Sequence, residues 1–295
     1  MTVRVLAVWT RQPLAVDTLT SRERDRLAAL PQRVRRQWLI SRHALRLLLG
    51  VLGLPRDTTG YAFPHRRLSL THIEGAAVAA GAVHTARELA GVGVDLETDR
   101  EARVDTTRFF LDERERSWLA SLPETARATE QLRLWTVKEA LFKADPDNRH
   151  TVLRDYTTLD AAAQRGRAQA RRSRDAVFAY ASTRLCDAHL SVAAAFHGET
   201  RTPQSIAPGI APGRETPVPS VITFDAVADR ISSTLSIPVE KLTPETTLRE
   251  LAADSFLLVE MAVDLQEEFD TIFTQNELRE ITTLGELAGL VGAKV

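Results

Sequence analysis

The stretch GVGVDLE, residues 91–97, is a run of small and apolar residues that ends in two carboxylates, Asp95 and Glu97. The run predicts a buried strand over residues 90–96. Side chains at positions i and i+2 of a strand share a face, so the two carboxylates are expected to lie close together. Two like charges at that distance are costly unless a cation lies between them. Hard oxygen ligands of this kind suit Mg²⁺, and the alternative is a strand end with two solvated acids.

The second stretch that carries chemistry is WTVKEALFK, residues 135–143, whose first residue follows Asp95 by 40 positions. It predicts the end of a helix over residues 129–144. On that helix Glu139 and Lys143 are i,i+4 neighbours, which is also the pattern of an ordinary surface pair. The functional interpretation makes Glu139 a third metal ligand or a base, with Lys138 and Lys143 facing phosphate.

Two further segments carry polar groups upstream. The strand predicted over residues 68–72 ends in Thr71 and His72, which are either a phosphate contact or part of a half-buried hairpin. A long amphipathic helix over residues 31–52 contains a basic set with near-helical spacing. Guanidinium groups bind phosphate well, and a solvated basic face is the other interpretation. The basic set consists of Arg33, Arg35, Arg36, Arg42 and Arg46.

The composition is that of an ordinary globular protein, with 44% hydrophobic and 26% charged residues in a chain of 295. The single cysteine, Cys186, excludes an intramolecular disulfide and a cysteine-rich zinc site. We find no signal peptide and no apolar run of membrane-spanning length, and we expect a cytoplasmic protein.

The chain divides at residues 197–220, which contain five prolines and three glycines and have linker composition. Before the linker, strand and helix patterns alternate without a strict βαβ rhythm, which predicts an α+β fold. Residues 76–80 and 191–195 hint at two similar halves. After the linker the pattern is helical, with predicted helices over residues 224–235, 255–269 and 284–291. This predicts a small all-α bundle.

Net charge differs between the two parts. Residues 221–295 contain 14 acidic and 5 basic side chains, a balance of −9, whereas the whole chain has a net charge of −1. A basic part followed by an acidic part indicates two domains that attract each other or that have different partners. The basic part has no zinc-finger spacing and no RNA-binding signature, which argues against a nucleic-acid partner.

Together the four segments resemble the surfactin-type 4′-phosphopantetheinyl transferases, over roughly residues 1–198. Gly93-Val94-Asp95 matches that family's G-[IV]-D motif, and residues 135–143 match its W-[ST]-x-K-E-[AS]-x-x-K motif. Residues 69–72 look like its S-x-S-H strand, with Thr71 in place of serine. The resemblance implies a pseudo-twofold pair of similar α+β halves with the site between them, and an enzyme of the holo-[acyl-carrier-protein] synthase type. It divides the transferase into residues 1–92 and 93–198.

The resemblance also implies roles for residues. Asp95, Glu97 and Glu139 would hold Mg²⁺ against the pyrophosphate of coenzyme A, the donor substrate, and Glu139 with Lys143 would be catalytic. The groups implied in binding coenzyme A are Arg33, Arg36, Arg42, Arg46, Thr71, His72, Asp95, Lys138 and Lys143. The transferase is expected to be monomeric, with no membrane or nucleic-acid partner.

One position departs from the family pattern. The family has a G-[KR]-P turn before its S-x-S-H strand, and here Phe63 precedes Pro64 where the basic residue is usual. Arg66 or Arg67 is the candidate replacement for the missing charge.

After a linker at residues 199–220, residues 221–295 resemble acyl and peptidyl carrier domains. The segment LAADSF, residues 251–256, is similar to the carrier signature L-G-x-D-S-L, with Ala252 and Phe256 at the departures. By this resemblance Ser255 would be the attachment site of 4′-phosphopantetheine, although a serine before a helix is also a good N-cap. Carrier domains of the same chain, or of fatty acid, polyketide or peptide synthases, are the implied partners.

Two rival functions remain at this stage. One is a carrier module joined to a transferase-like docking domain that has lost activity, supported by Phe63 and opposed by the intact Asp95, Glu97, Glu139 and Lys143. The other is a basic nucleic-acid binder, which the acidic C-terminal part opposes.

Overall fold

The computed structural model describes residues 4–83, 89–98, 106–148, 151–171, 176–197, 223–235 and 237–251, then positions 261, 265, 268, 269, 271 and 277, and residues 281–294. The chain forms two compact units, one of residues 1–101 and 107–199 and one of residues 102–106 and 200–295. Within the described residues, no helix has the length and apolar character needed to cross a membrane.

The first half of the larger unit is a three-stranded antiparallel sheet covered by a long helix. Its strands are β1 (Val5–Thr10), β2 (Leu68–Ile73) and β3 (Ala76–Ala82), in the order β1-β3-β2. Helix α1 (Ser21–Ala28) precedes α2 (Gln32–Val51), whose apolar side packs on β3. The small residues of β3 are all buried, which lets α2 lie close to the sheet.

The second half is a five-stranded antiparallel sheet, in the order β4-β8-β7-β6-β5, that also packs against a long helix. The helices are α3 (Thr107–Phe110), α4 (Glu113–Ser121) and α5 (Glu124–Ala144). The strands are β4 (Leu89–Thr98), β5 (Tyr156–Thr158), β6 (Arg165–Ala170), β7 (Ala176–Leu185) and β8 (Ala188–His197).

The predicted α+β class is confirmed, and the differences in detail have physical reasons. Two short helices, α3 and α4, precede α5, because Asp112 caps a new helix and so separates them. Helix α5 begins five residues earlier than expected, directly after Pro123, which suits a helix start. The sequence interpretation missed α1, β5 and β6, which are short or strongly polar.

Helix α5 packs directly on strand β4 because two glycines leave room for its backbone. A Cβ atom at Gly93 would lie 1.8 Å from the carbonyl oxygen of Ala140, and one at Gly91 would lie 2.1 Å from that of Ala144. No side chain fits at either position. The close approach brings Asp95 and Glu97 on β4 next to the last two turns of α5.

The two halves contain the same hydrogen-bonded brace. Glu23 of α1 accepts from the backbone N–H (3.0 Å) and hydroxyl (2.6 Å) of Thr58, and Arg46 of α2 donates to its other oxygen. Glu115 of α4 accepts from the backbone N–H (3.0 Å) and hydroxyl (2.8 Å) of Thr158, and Lys138 of α5 donates to its other oxygen at 2.6 Å.

The sequence repeats along with the brace. LAALP at residues 27–31 corresponds to LASLP at residues 119–123, and the same offset of 92 relates Glu23 to Glu115 and Arg46 to Lys138. Arg35 donates to the carbonyl groups of residues 28 and 30, and Arg127 donates to those of residues 120 and 122. The hint of two similar halves therefore has a structural basis in named contacts.

The brace of the first half predicts an acid-sensitive contribution to stability. Burial alone would raise the pKa of Glu23, but hydrogen bonds from Thr58, Thr20 and Arg46 lower it to about 2. Because this value is below the unfolded pKa of about 4.3, the carboxylate stabilises the fold above that pH, and the contribution is lost as the pH falls towards about 2. We expect Glu23→Gln to flatten the pH dependence of the unfolding free energy, measured by urea unfolding of the full chain between about pH 5 and about pH 3. Equal pH slopes for the native chain and the variant would contradict this assignment.

The smaller unit contains helices α6 (Phe224–Leu235), α7 (Leu248–Leu251) and α8 (Leu284–Lys294). Its core is apolar and includes Val227, Ile231, Leu265, Leu287 and Val291. The expected helices over residues 224–235 and 284–291 are present. Most of the helix expected over residues 255–269, including Ser255, lies outside the described residues.

Candidate active site

The carboxylate of Asp95 is the centre of a polar cluster between β4, β2 and the end of α5. Asp95 is 2% exposed, and its Oδ1 accepts from Lys143 Nζ at 2.6 Å and from the Thr71 hydroxyl at 3.2 Å. The hydroxyl of Ser69 accepts from the backbone N–H of Val94 at 3.1 Å and so joins β2 to β4. The cluster therefore contains groups from both sheets.

The other two predicted carboxylates lie near the same ammonium group. Glu97 is 3% exposed and accepts from the indole N–H of Trp135 at 3.3 Å. Burial alone would lower the pKa of Lys143, but the charges of Asp95, Glu139 and Glu97 raise it above its ordinary value. The structure thus brings the two carboxylates of β4 and the Glu139–Lys143 pair of α5 together.

The donor set fits a hard divalent cation. Asp95 Oδ2 is buried and has no hydrogen-bond partner among the described residues, so this ligand atom remains open beside the oxygen that Lys143 occupies. Carboxylate oxygens are the ligands that Mg²⁺ uses together with phosphate oxygens and water. In the described part of the chain, no three Asp, Glu, His or Cys side chains converge as a complete metal site. The assignment of Asp95, Glu97 and Glu139 as Mg²⁺ ligands therefore stays a proposal.

His72 follows Thr71 at the edge of this cluster and remains exposed. Desolvation of its ring and the charge of Lys143 lower the pKa of His72 below its ordinary value. This exposed imidazole is available as a hydrogen-bonding partner for an anionic ligand.

A cavity of about 490 Å³ opens next to Lys143. It is lined by residues 64–66 from the first half, by Ala90 and Gly91 of β4, and by residues 143–148 at the end of α5. Its size is that of a small-molecule site. Arg66, one of the two candidates to replace the charge missing at Phe63, lines this cavity, and its Nε donates to the carbonyl of Leu89 at 2.6 Å.

The predicted arginines of α2 divide into two groups. Arg33 and Arg36 are exposed at the start of the helix. Arg42 and Arg46 are engaged within the protein, because Arg42 stacks over the Trp38 ring at 5.3 Å and Arg46 pairs with the buried Glu23. The first group is thus at the protein surface, whereas in the second group Arg46 ties α2 to Glu23 of α1.

Lys138 does not lie with the other predicted phosphate ligands. Its side chain is 0% exposed, and its Nζ donates to Glu115 at 2.6 Å and to the carbonyl of Tyr156. Burial lowers the pKa of Lys138, while the charge of Glu115 opposes that shift. These contacts place the ammonium group in the interior of the second half, so they do not support the predicted contact with phosphate.

The sequence interpretation missed the residues that hold α5 in place. They include Glu115 and the buried chain in which Thr151 and Asp145 contact the Tyr156 hydroxyl, each at 2.8 Å. The repeated LAxLP segment was a signal that could have located Glu115, because the segment and the glutamate four residues before it both recur after 92 positions.

Two family models match the chain. The 4′-phosphopantetheinyl transferase superfamily model, ACPS, matches residues 91–195. The phosphopantetheine attachment site model, PP-binding, matches residues 225–291. The first match contains the whole cluster of β4 and α5, and the second spans position 255.

Proposed function

We infer the function from the premise that this chain carries a domain of the 4′-phosphopantetheinyl transferase superfamily followed by a phosphopantetheine attachment domain. We propose that the chain transfers the phosphopantetheine group of coenzyme A to a carrier-domain serine. Ser255 is the acceptor in this proposal. The observation that carries it is the cluster of Asp95, Glu97, Glu139 and Lys143 beside the cavity.

The reaction is a phosphoryl-type transfer. The oxygen of Ser255 attacks the phosphorus that bears the pantetheine group and forms a new P–O bond. The P–O bond to the second phosphate breaks, and 3′,5′-ADP leaves with the bridging oxygen. The serine proton passes to Glu139, directly or through water. Such reactions depend mainly on positioning and on charge stabilisation.

The residues of the chain divide these tasks. In this proposal the exposed residues His72, Arg33 and Arg36 contact phosphate groups of coenzyme A, and Arg66 contributes charge to the cavity that it lines. Lys143 contributes positive charge beside Asp95. A Mg²⁺ ion held by Asp95, Glu97 and Glu139 would neutralise the charge of the pyrophosphate. The intact cluster argues against a docking domain that has lost activity.

The fused acceptor adds a kinetic argument. A linker of the length of residues 199–220 raises the effective concentration of a tethered partner to the mM range if the two sites can meet. The opposite charges of the two parts favour their encounter. We therefore include the chain's own carrier domain among the substrates, beside carriers of separate synthases.

We expect the intact mass of the chain to rise by one phosphopantetheine group on incubation with coenzyme A and Mg²⁺. Ser255→Ala should abolish the gain, and EDTA should suppress it in the native chain because the pyrophosphate charge is no longer neutralised. Peptide mass spectrometry assigns the modified residue. An unchanged mass in the presence of both coenzyme A and Mg²⁺ contradicts the proposal, and a gain in the Ser255→Ala chain contradicts the acceptor.

A further inference from the structure

The buried ion pair of Lys138 and Glu115 has no role in the proposed chemistry, although Lys138 adjoins Glu139. Its two side chains are 0% and 1% exposed. The Lys138 ammonium is 2.6 Å from Glu115 Oε2 and also donates to the carbonyl of Tyr156. The pair thus ties α5 to α4 and to β5 in the interior of the second half.

The first half has the same brace without the chemistry. Arg46 takes the place of Lys138 and Glu23 that of Glu115. The positions that correspond to Glu139 and Lys143 are Leu47 and Val51, which are 42% and 63% exposed. The brace therefore forms with or without a reactive cluster beside it, and a comparison of the two halves separates stability from positioning.

In the second half the brace holds the segment that carries the reactive groups. One end of this segment is held by the ion pair of Lys138. At the other end Asp145 accepts from the Tyr156 hydroxyl at 2.8 Å. Between these ties, Ala140 and Ala144 lie against the glycines of β4. Glu139 and Lys143 belong to this clamped segment, so their direction towards Asp95 depends on it.

We propose that Glu115 and Lys138 are positioning residues for the transfer reaction, acting through Glu139 and Lys143. The proposal rests on the proposed function. The Glu23–Arg46 pair is the equivalent brace in the first half, where no reactive group depends on it in this way. Small displacements of reacting groups have large effects on rate, so the two braces should differ in their effect on the reaction.

The test compares the same substitution in the two halves of the full chain. Glu115→Gln and Glu23→Gln each weaken one brace without changing side-chain size. The rate of modification of the chain's own carrier domain is followed by intact mass as the coenzyme A concentration is varied. Glu115→Gln should lower the maximal rate about tenfold or more, with the half-saturating concentration of coenzyme A within about twofold of the native value. Glu23→Gln should keep the maximal rate within about twofold of the native value. The two variants should lower the melting temperature by similar amounts.

Lys138 variants provide the rescue experiment. Lys138→Met should lower the maximal rate at least as much as Glu115→Gln, and Lys138→Arg should recover most of it because Arg46 pairs with a glutamate in the equivalent place. If Glu115→Gln does not fold, Thr158→Val and Thr58→Val form a milder matched pair. Each removes the hydrogen bond that the threonine hydroxyl donates to the corresponding glutamate.

The outcomes distinguish the inference from the proposed function. Equal maximal rates for the native chain and the Glu115→Gln chain overturn the inference. An equal loss of maximal rate in the Glu115→Gln and Glu23→Gln chains also overturns it. A Lys138→Met variant with a raised half-saturating concentration and a native maximal rate would make Lys138 a ligand of coenzyme A instead. A native chain that is never modified contradicts the proposed function itself, and the inference falls with it.

Discussion

Glu139→Gln is expected to lower the rate of phosphopantetheine transfer by at least about a hundredfold, since a general base contributes about 10²–10⁴ to a rate. Glutamine keeps the shape of the side chain but neither accepts a proton nor offers a charged ligand. Glu139 is half-buried on α5 and acts electrostatically on Lys143. The rate is measured by intact mass spectrometry of the full chain with coenzyme A and Mg²⁺.

The matched control for this variant is Glu124→Gln, which removes an exposed carboxylate from the first turn of the same helix. It should retain the native rate. Circular dichroism and the melting temperature establish that both variants are folded. A folded Glu139→Gln chain that transfers at the native rate would exclude Glu139 from catalysis.

Gly93→Ala is expected to destabilise the larger unit by about 3 kcal/mol or more, at the upper end of the usual cost of overpacking. The new methyl group would lie 1.8 Å from the carbonyl oxygen of Ala140 and 2.7 Å from the backbone nitrogen of Ala144. Both are backbone atoms of α5, so the helix itself has to move away from β4. Transfer should fall with stability, because the movement separates Glu139 and Lys143 from Asp95.

The melting temperature should fall by about 10 °C in this variant, following the usual relation for a domain of this size. Gly60→Ala is the control, because no atom lies within 4 Å of a Cβ placed there and its backbone dihedral angle is not in the left-handed region. It should melt within about 2 °C of the native chain. A Gly93→Ala chain with native melting temperature and rate would show that β4 and α5 do not need their close contact.

The sequence predicted which charged residues of the candidate site lie on the same face of a strand or a helix. The alternation of β4 places Asp95 and Glu97 on one face, and the helical period pairs Glu139 with Lys143. What brings the two pairs together is the glycine contact between β4 and α5. That contact is a tertiary packing feature, which neither period reveals.

Local patterns did not reveal that two of the predicted basic residues are paired in the interior, because charge alone does not determine which side of a helix faces a ligand. Lys138 and Arg46 carry the charge expected of phosphate ligands, yet each is paired with a buried glutamate from the preceding helix. The signal for this arrangement was the long-range repeat of LAxLP together with its upstream glutamate. Helix α1 and strands β5 and β6 were missed because their short polar sequences acquire structure from such contacts.

The central claim, that one chain contains both a transferase and its acceptor, is tested most directly by mixing two variants with coenzyme A and Mg²⁺. The Ser255→Ala chain keeps the reactive cluster without the acceptor, and the Glu139→Gln chain keeps the acceptor without the base. Intact mass spectrometry distinguishes the two chains. The account predicts a gain of one phosphopantetheine group on the Glu139→Gln chain only, and no gain when either variant is incubated alone. No gain in the mixture from variants of an active native chain, or a gain on the Ser255→Ala chain, would contradict it.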